Sequence, residues 1–561
     1  MTLSEEGTSS DVKWDALVIG GGHNGLVAAA VLAKAGRKVL VLEAAVDVGG
    51  AGRTEEFHPG FRASTAHVLN RLHPDVVRAL DLRLDTFANL NSSHTPTPTP
   101  PHKGEGAANV SVSLPLVGRG GGGLAPTTLL SPDRGALVLN GAWGETIDGD
   151  ISDAEKRAWG AMRAQLIRYA GVLKPFLARL PPDLTGMALS EKLAFGGAGL
   201  ALKRLGKEDM RDFLRMMLMN VHDVADEHLA DDRLKGFVGF EAVLGSHLGP
   251  RSPTSLLGLY YRLTGELGGQ AGAQMLPAGG MGSVIAAIRR SAELAGATIL
   301  TGAPVARIMV ESGRAVGVRL ADGAEVRAGT IVSAINPSTT LLGLVGSAEV
   351  DTGIVRKAQN IRMKGDVAKL HLALDKVPDF PGLPKAALSG RLVIAPSSEA
   401  GERAFNPSKY GAFSPEPVME ITLNSVSDPS LAPAGGCVLS ANVQYAPYEL
   451  KGGWEAGKPL FLKAVMAVLE RHAPGIGGTV VHAELLTPVD IEARYRMPGG
   501  HWHHGELQID QMLMNRPFFG AERYATPVEG LWLASAGSHP GGGISGVPGL
   551  NAARAIIGRR G

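Results

Sequence analysis

Cysteine is almost missing: Cys437 is the only one in 561 residues. A single thiol excludes an intrachain disulfide and any Cys-x-x-Cys redox pair. It lies in Gly-Cys-Val-Leu-Ser, an apolar strand following a turn, where a buried core residue is expected rather than a nucleophile. Aromatic residues are scarce at 5%, and neither sign of charge prevails, the net charge being +1. Without a basic patch interleaved with aromatics, nothing indicates nucleic acid. No apolar run reaches about eighteen residues, the minimum for a membrane-spanning helix. The stretch Met1–Lys13 carries Glu5, Glu6 and Asp11 against one lysine. It reads as neither a signal peptide nor an Arg-rich presequence, which favours the cytosol. A length of 561 residues with 44% hydrophobic and 19% charged residues suits a globular protein of two interleaved domains.

Glycine is abundant instead, at 75 residues, and one group of glycines is ordered. Ala16–Ile19 reads as a short apolar strand, followed at once by Gly20-x-Gly22-x-x-Gly25. Gly20 permits a tight turn, Gly22 lets a pyrophosphate approach the backbone, and Gly25 lets the next helix pack against the strand. The predicted helix Leu26–Ala35 would turn its free N–H groups and positive dipole end towards phosphates. Asn24 lies within the same turn. A second strand, Lys38–Leu42, delivers Glu43 about twenty residues on, where a carboxylate can accept both ribose hydroxyls; the same acid disfavours a 2′-phosphate. Strand, turn, helix, strand and acid in this order specify a dinucleotide site far better than the glycines alone.

The remaining chain divides by composition. Residues 1–14 form a tail and 15–89 the first cofactor-binding part. Residues 90–125 are low in complexity, rich in Pro, Thr and Gly, and read as a solvated insertion. Residues 126–274 turn helical after Ser152, and the Met- and Leu-rich segment Met210–Val224 reads as a helix, either ordinary core or the wall of an apolar tunnel. Residues 275–337 hold a helix over Val284–Ala295 and then strands, with Asp322-Gly323 as a hairpin turn. Residues 338–525 include Lys369–Asp375, whose alternation puts Leu370, Leu372 and Leu374 on one face and Lys369, His371 and Ala373 on the other, facing either a cavity or solvent. Residues 526–561 give a strand, a glycine-rich turn from Gly537 to Gly549, and a helix over Asn551–Ile557.

Val48-Gly49-Gly50-Ala51-Gly52-Arg53, whose Gly49-Gly50 begins six residues beyond Glu43, resembles the extended fingerprint of FAD-containing amine oxidases, phytoene desaturases and carotenoid isomerases. Gly-Gly-His-Asn-Gly-Leu near the start and Gly537-Ser-His-Pro-Gly-Gly-Gly-Ile-Ser-Gly near the end are similar to the phytoene-desaturase-like flavoproteins called pyridine nucleotide-disulfide oxidoreductase domain-containing protein 2. The disulfide chemistry in that name is closed to a chain with one cysteine. The resemblance implies an α/β protein in which a Rossmann-like FAD-binding domain interleaves with a mixed-sheet and helical substrate domain. It implies FAD contacts at Gly49, Gly50 and Arg53, a backbone contact to the adenine at Val305, and flavin contacts at Gly537, Ser538, Gly543 and Ile544. Ser538 replaces the acid that many members of the wider group carry there, so the ribityl contact falls to a hydroxyl or a backbone N–H.

The implied activity is FAD-dependent oxidoreduction of an apolar or amphipathic small molecule, with hydride chemistry at the flavin and an electron acceptor of unspecified kind. His539, His504 and Lys369 are the candidates to handle a proton, each with a structural alternative as a hydrogen-bonding or solvated group. His501, His503 and His504 lack the carboxylate or cysteine partners of a metal site. The alternative function is a flavin-fold binding protein with FAD structural or absent, as in Rab GDP-dissociation inhibitors, acting through a protein partner. The resemblance points to the mitochondrial matrix, against the acidic N-terminus.

Overall fold

The computed structural model describes residues 14–86, 112–117, 124–177, 179–183 and 189–558. Two sheets organise the chain. The first has seven strands, four of them near-continuous apolar runs buried on both faces: Trp14–Ile19, Val39–Leu42, the end of Glu325–Ser333, and Leu531–Leu533. Trp14–Ile19 is central, parallel to Val39–Leu42 on one side and to Glu325–Ser333 on the other. Thr298–Leu300 extends one edge in parallel, and Leu531–Leu533 joins Glu325–Ser333. Parallel strands need coverage on both faces. Helices His23–Lys34, Met281–Leu294 and Val547–Gly558 provide it on one side, sharing a core with Val18, Val41 and Val332.

Glu325–Ser333 is one continuous strand. Its first half turns out of the parallel sheet to pair antiparallel with Arg314–Leu320. The Asp322-Gly323 turn closes that hairpin, with Asp322 accepting from Ala324 N at 3.0 Å.

The second sheet has eight strands, assembled from Thr127–Leu129, Leu137–Asn140, Thr146–Asp148, Val367–Leu374, Arg391–Ile394, Val418–Thr422, Cys437–Gln444 and Val480–Leu486. The chain therefore passes between the two sheets repeatedly, giving the interleaved α/β architecture. In Val367–Leu374 both faces are buried. Leu370, Leu372 and Leu374 pack with Phe461, Val465 and Leu469 of helix Trp454–His472. The polar face is covered by the hairpin of Thr54–His58 and Phe61–Ser64, with Phe57 5.3 Å from His371. It is not solvated. Cys437 is buried, and burial pushes its thiol up.

Among the described residues, helix Asp153–Leu177 and five more between Leu189 and Leu263 form a helical layer. Three expectations change here and elsewhere. Met210–Val224 is not one helix: Lys207–Met216 stops, and Val221–His228 begins anew with Asn220 accepting from Asp223 N. A side chain that caps well competes with helix continuation. Within 90–125, residues Val112–Val117 form a strand parallel to Leu82–Thr86 and antiparallel to Leu276–Pro277. Their Val/Leu content was hidden by the low-complexity sequence on either side, which lies outside the described residues. The C-terminal helix starts at Val547, four residues earlier than its apolar pattern suggested.

Candidate functional site

Strand Trp14–Ile19 ends at Gly20, and helix His23–Lys34 begins at Gly22 with no side-chain cap and no acid in its first turn. Its first N–H groups and positive dipole end are therefore uncompensated by the protein. Gly22 lines a cavity of about 480 Å³, and a Cβ placed on it would meet nothing within 4 Å. Gly25 is the reverse case: a Cβ there would lie 2.0 Å from Gly20 O. So Gly25 brings helix against turn, while Gly22 leaves bare backbone facing open space. Asn24 Oδ1 and His23 Nε2 are buried at this cavity without partners. Backbone N–H groups, a bare glycine and orphaned polar atoms at a helix start fit a phosphate-bearing dinucleotide.

Glu43, at the end of Val39–Leu42, lines the same cavity beside Val305, Ala303 and Leu344. Its carboxylate accepts from Gly21 N at 2.7 Å and Ala45 N at 2.8 Å. These bonds fix it at the rim and leave further lone pairs for hydroxyls. Gly20, Gly49, Gly50, Gly543, Ile544 and His504 also form wall.

The other sequence candidates stand back from the wall. Arg53 pairs with Glu55 at 3.0 Å. Gly537 packs on Pro337, where a Cβ would lie 2.4 Å from Cδ. Ser538 is buried with its Oγ unpartnered. His539 is buried and its Nε2 bonds Phe176 O at 2.9 Å. Burial pushes its pKa down to about 4, so the ring is neutral at pH 7 and ties the end of helix Asp153–Leu177 to the C-terminal turn. Lys369 lies one hydrogen bond behind the wall, donating to Asn442 Oδ1 at 3.3 Å and contacting His67 Nδ1.

Away from the glycines the cavity wall becomes charged. Glu241 accepts from Arg262 Nε at 3.0 Å and pairs with Arg391. Arg391 Nε meets Glu420 at 2.6 Å, and its Nη1 reaches Gln274 at 3.3 Å. Glu420 also accepts from Asn442 Nδ2 at 2.6 Å and faces His67 Nε2 at 3.4 Å. Arg391 and Glu420 are 2% and 5% exposed, so this is a buried network, not a surface chain. Burial pushes Glu420 up, but Arg391 above all, then His67 and Asn442, outweigh it and hold the carboxyl far below its usual range. Burial lowers His67 to about 4, with Lys369 adding to the effect. Burial likewise lowers Lys369 to about 7, opposed by Glu420. Neutral His67 accepting at Nδ1 carries its proton at Nε2, facing Glu420.

The loop His501–Leu507 closes one side. Burial and Arg516 lower His504 to about 4 and His501 to about 3. Arg516 itself is buried and donates to the carbonyls of His503, Gly505, Glu506, Gln511 and Ala536, pinning the loop to the end of the C-terminal strand. Tyr261, stacked at 3.7 Å on Arg71, and Trp502 supply aromatic wall.

Sequence reasoning missed His23, His67, Arg71, Glu241, Tyr261, Arg262, Gln274, Arg391, Glu420, Asn442 and Trp502. One signal was available: Glu241, Arg391 and Glu420 are isolated charges inside Gly-Phe-Glu-Ala-Val, Arg-Leu-Val-Ile and Val-Met-Glu-Ile-Thr. A lone charge in an apolar element must be paired if buried.

Among the described residues no helix is long and apolar enough to cross a membrane. Residues 25–400 match the model of the flavin containing amine oxidoreductases. Pyridine nucleotide-disulfide oxidoreductase domain-containing protein 2 of Mus musculus is 32% identical over 97% of this chain and 93% of its own. A phytoene desaturase (neurosporene-forming) of Cereibacter sphaeroides is 27% identical over 67% of this chain and 73% of its own. Putrescine oxidase shares the fold, with a TM-score of 0.55 at 15% identity, covering 98% of this chain and 100% of that one. An uncapped helix start over a glycine cradle, an acid at the next strand end and a match spanning most of the chain agree: the protein belongs to the flavin-containing amine oxidoreductase family.

Proposed function

We propose that this protein binds one FAD non-covalently and uses it to oxidise an amphipathic small molecule. One observation carries the reading: a single cavity joins the Gly20–Gly22–Glu43–Val305 cradle to the buried polar wall of Arg262, Gln274, Arg391, Glu420 and Asn442. In this reading cofactor space and substrate space are continuous, as transfer between them requires.

Gly20, Gly22 and Asn24 would hold the pyrophosphate, Glu43 the ribose and the Val305 backbone the adenine, while Gly49, Gly50, Gly543 and Ile544 enclose the remainder. Arg53, Gly25, Gly537 and Ser538 support those walls from behind. When bound, the isoalloxazine ring supplies acceptance of a hydride or electron pair. The chain's own part is positioning and proton handling. Lys369 Nζ, with a pKa of about 7, is suited to accept a substrate proton: while Lys369 is neutral, His67 donates to it from Nδ1 and presents Nε2 as acceptor, so a proton taken at Nε2 releases the Nδ1 proton to Nζ. His504, neutral at pH 7, offers a hydrogen-bonding nitrogen; its Nδ1 is buried without a partner. His539, outside the wall, serves as scaffold.

The test is the absorbance spectrum of the purified protein, then anaerobic photoreduction and readmission of air. Flavin bands near one per chain that bleach and recover support the redox reading. A flavin that never exchanges electrons, or a colourless protein refusing added FAD, overturns it in favour of a binding protein.

A further inference from the structure

The inner wall of the cavity carries buried charge that a hydrocarbon substrate would leave facing carbon. Its hydrogen-bonding capacity is unevenly used. Glu241 is held between Arg262 and Arg391. Glu420 is held by Arg391, Asn442 and His67. Both carboxylates are therefore committed. Asn442 is used at both ends, donating to Glu420 and accepting from Lys369. Gln274 accepts from Arg262 Nη2 at 3.2 Å and donates to Thr127 at 2.6 Å. Among the guanidiniums of this wall, donors are left over. Arg262 Nη1 is buried with no acceptor, and so is Nε of Arg71, which stacks on the adjacent Tyr261.

A buried guanidinium N–H without an acceptor is costly, and the cost disappears when a ligand brings oxygen to it. An amine would meet the opposite situation: carboxylates already neutralised, and unpaired cationic donors nearby. A bare polyene would satisfy nothing. Beside the polar wall, Leu244, Trp502 and Leu507 provide apolar surface in the same cavity.

We propose that the site takes an amphipathic carboxylic acid, its carboxylate accepting from the Arg262 guanidinium in the cavity wall and its apolar chain lying along Leu244, Trp502 and Leu507. This deepens the functional reading above by naming the substrate class, and departs from the amines of the family's description. It rests on that reading for the neighbouring flavin.

The test is calorimetric titration of the purified full-length protein with decanoate, decylamine, decanol and detergent-solubilised squalene, with flavin content measured on the same samples. Decanoate is expected to bind one per chain and most tightly. Arg262→Gln is expected to weaken it about tenfold or more, with Arg262→Lys between the two. Decylamine, decanol or squalene binding as tightly as decanoate overturns the proposal, as does absence of decanoate binding or an unchanged Kd in a folded Arg262→Gln. Should that variant fail to fold, the wild-type ranking alone decides. A flavin-loaded protein preferring decylamine refutes only this proposal, whereas a colourless protein that binds decanoate refutes only the flavin reading.

Discussion

Two glycines three positions apart in one turn have opposite consequences. At Gly25 a methyl would strike Gly20 O at 2.0 Å, whereas at Gly22 it enters open cavity from a backbone with φ of −68° that alanine tolerates. Gly25→Ala is expected to cost about 1–3 kcal/mol or more through overpacking, seen as a lower Tm of the flavin-free protein. Gly22→Ala should leave that Tm unchanged and lower flavin retention, read from the absorbance ratio after gel filtration. Equal Tm losses in both would show that the cavity side of Gly22 is not free. Glu43→Arg replaces the acceptor at the rim with a cation and should reduce bound flavin to under about a tenth per chain; full occupancy would place the ribose elsewhere. Lys369 gives a pH test. A base must be deprotonated to act, so kcat/KM should rise with pH through about 7, and that limb should vanish in Lys369→Met. A profile flat across that range in the wild type removes Lys369 from proton transfer. These residues differ in legibility. Gly20 to Glu43 lie close in sequence and obey one local geometry, so they can be read directly. Glu241, Arg262, Arg391 and Glu420 come from two helices and two strands, and only tertiary pairing makes them a group.

Among elements, the decisive contact joins the two ends of the described chain. Helix Val547–Gly558 lies directly on helix His23–Lys34: a Cβ at Gly549 would be 2.1 Å from Asn24 O. Gly549→Ala is expected to force the helices apart, lowering Tm and also flavin content, since Asn24 belongs to the cradle; a neutral Tm would mean that the C-terminal helix yields freely. Short apolar runs bounded by glycine turns made the parallel strands and both of these helices readable. The Met210–Val224 pattern misled because hydrophobic spacing persists across the Asn220 cap, and Val112–Val117 escaped notice because six residues cannot alter the composition of a biased stretch. The buried polar face of Val367–Leu374 was ambiguous for a deeper reason: alternation reveals two faces but not what covers the second.

For the whole molecule, burial of neutral histidines governs acid stability. His23, His67, His504 and His539 are all lowered to about 4 by burial, and His501 to about 3. The unfolded chain binds protons at these sites from about pH 6.5, the folded chain only near pH 4, so the unfolded state holds more protons in between and stability falls as pH falls through that window. Each unit of pKa difference corresponds to about 1.4 kcal/mol at full expression. Acid titration followed by circular dichroism should show cooperative unfolding between about pH 6.5 and 4 with net proton uptake. Persistence of the native signal at pH 4 without proton uptake would mean that the rings are hydrated. The interleaved architecture followed from glycine motifs at both ends with strands between them. The sheet order did not, because pairing of strands distant in sequence depends on the entire packed core.

That interleaving also dictates an order of events during biosynthesis. The cavity wall begins at Ile19 and is not complete until Ile544, which a ribosome reaches on the order of a minute after the glycine turn has emerged. During that interval the turn and its helix lack the partner that packs on Asn24, and the nascent chain exposes the apolar flank of His23–Lys34. A flavin held as proposed would therefore be captured late, only after Ile544 has joined the wall, and a cell short of flavin would accumulate the open form that chaperones and proteases recognise.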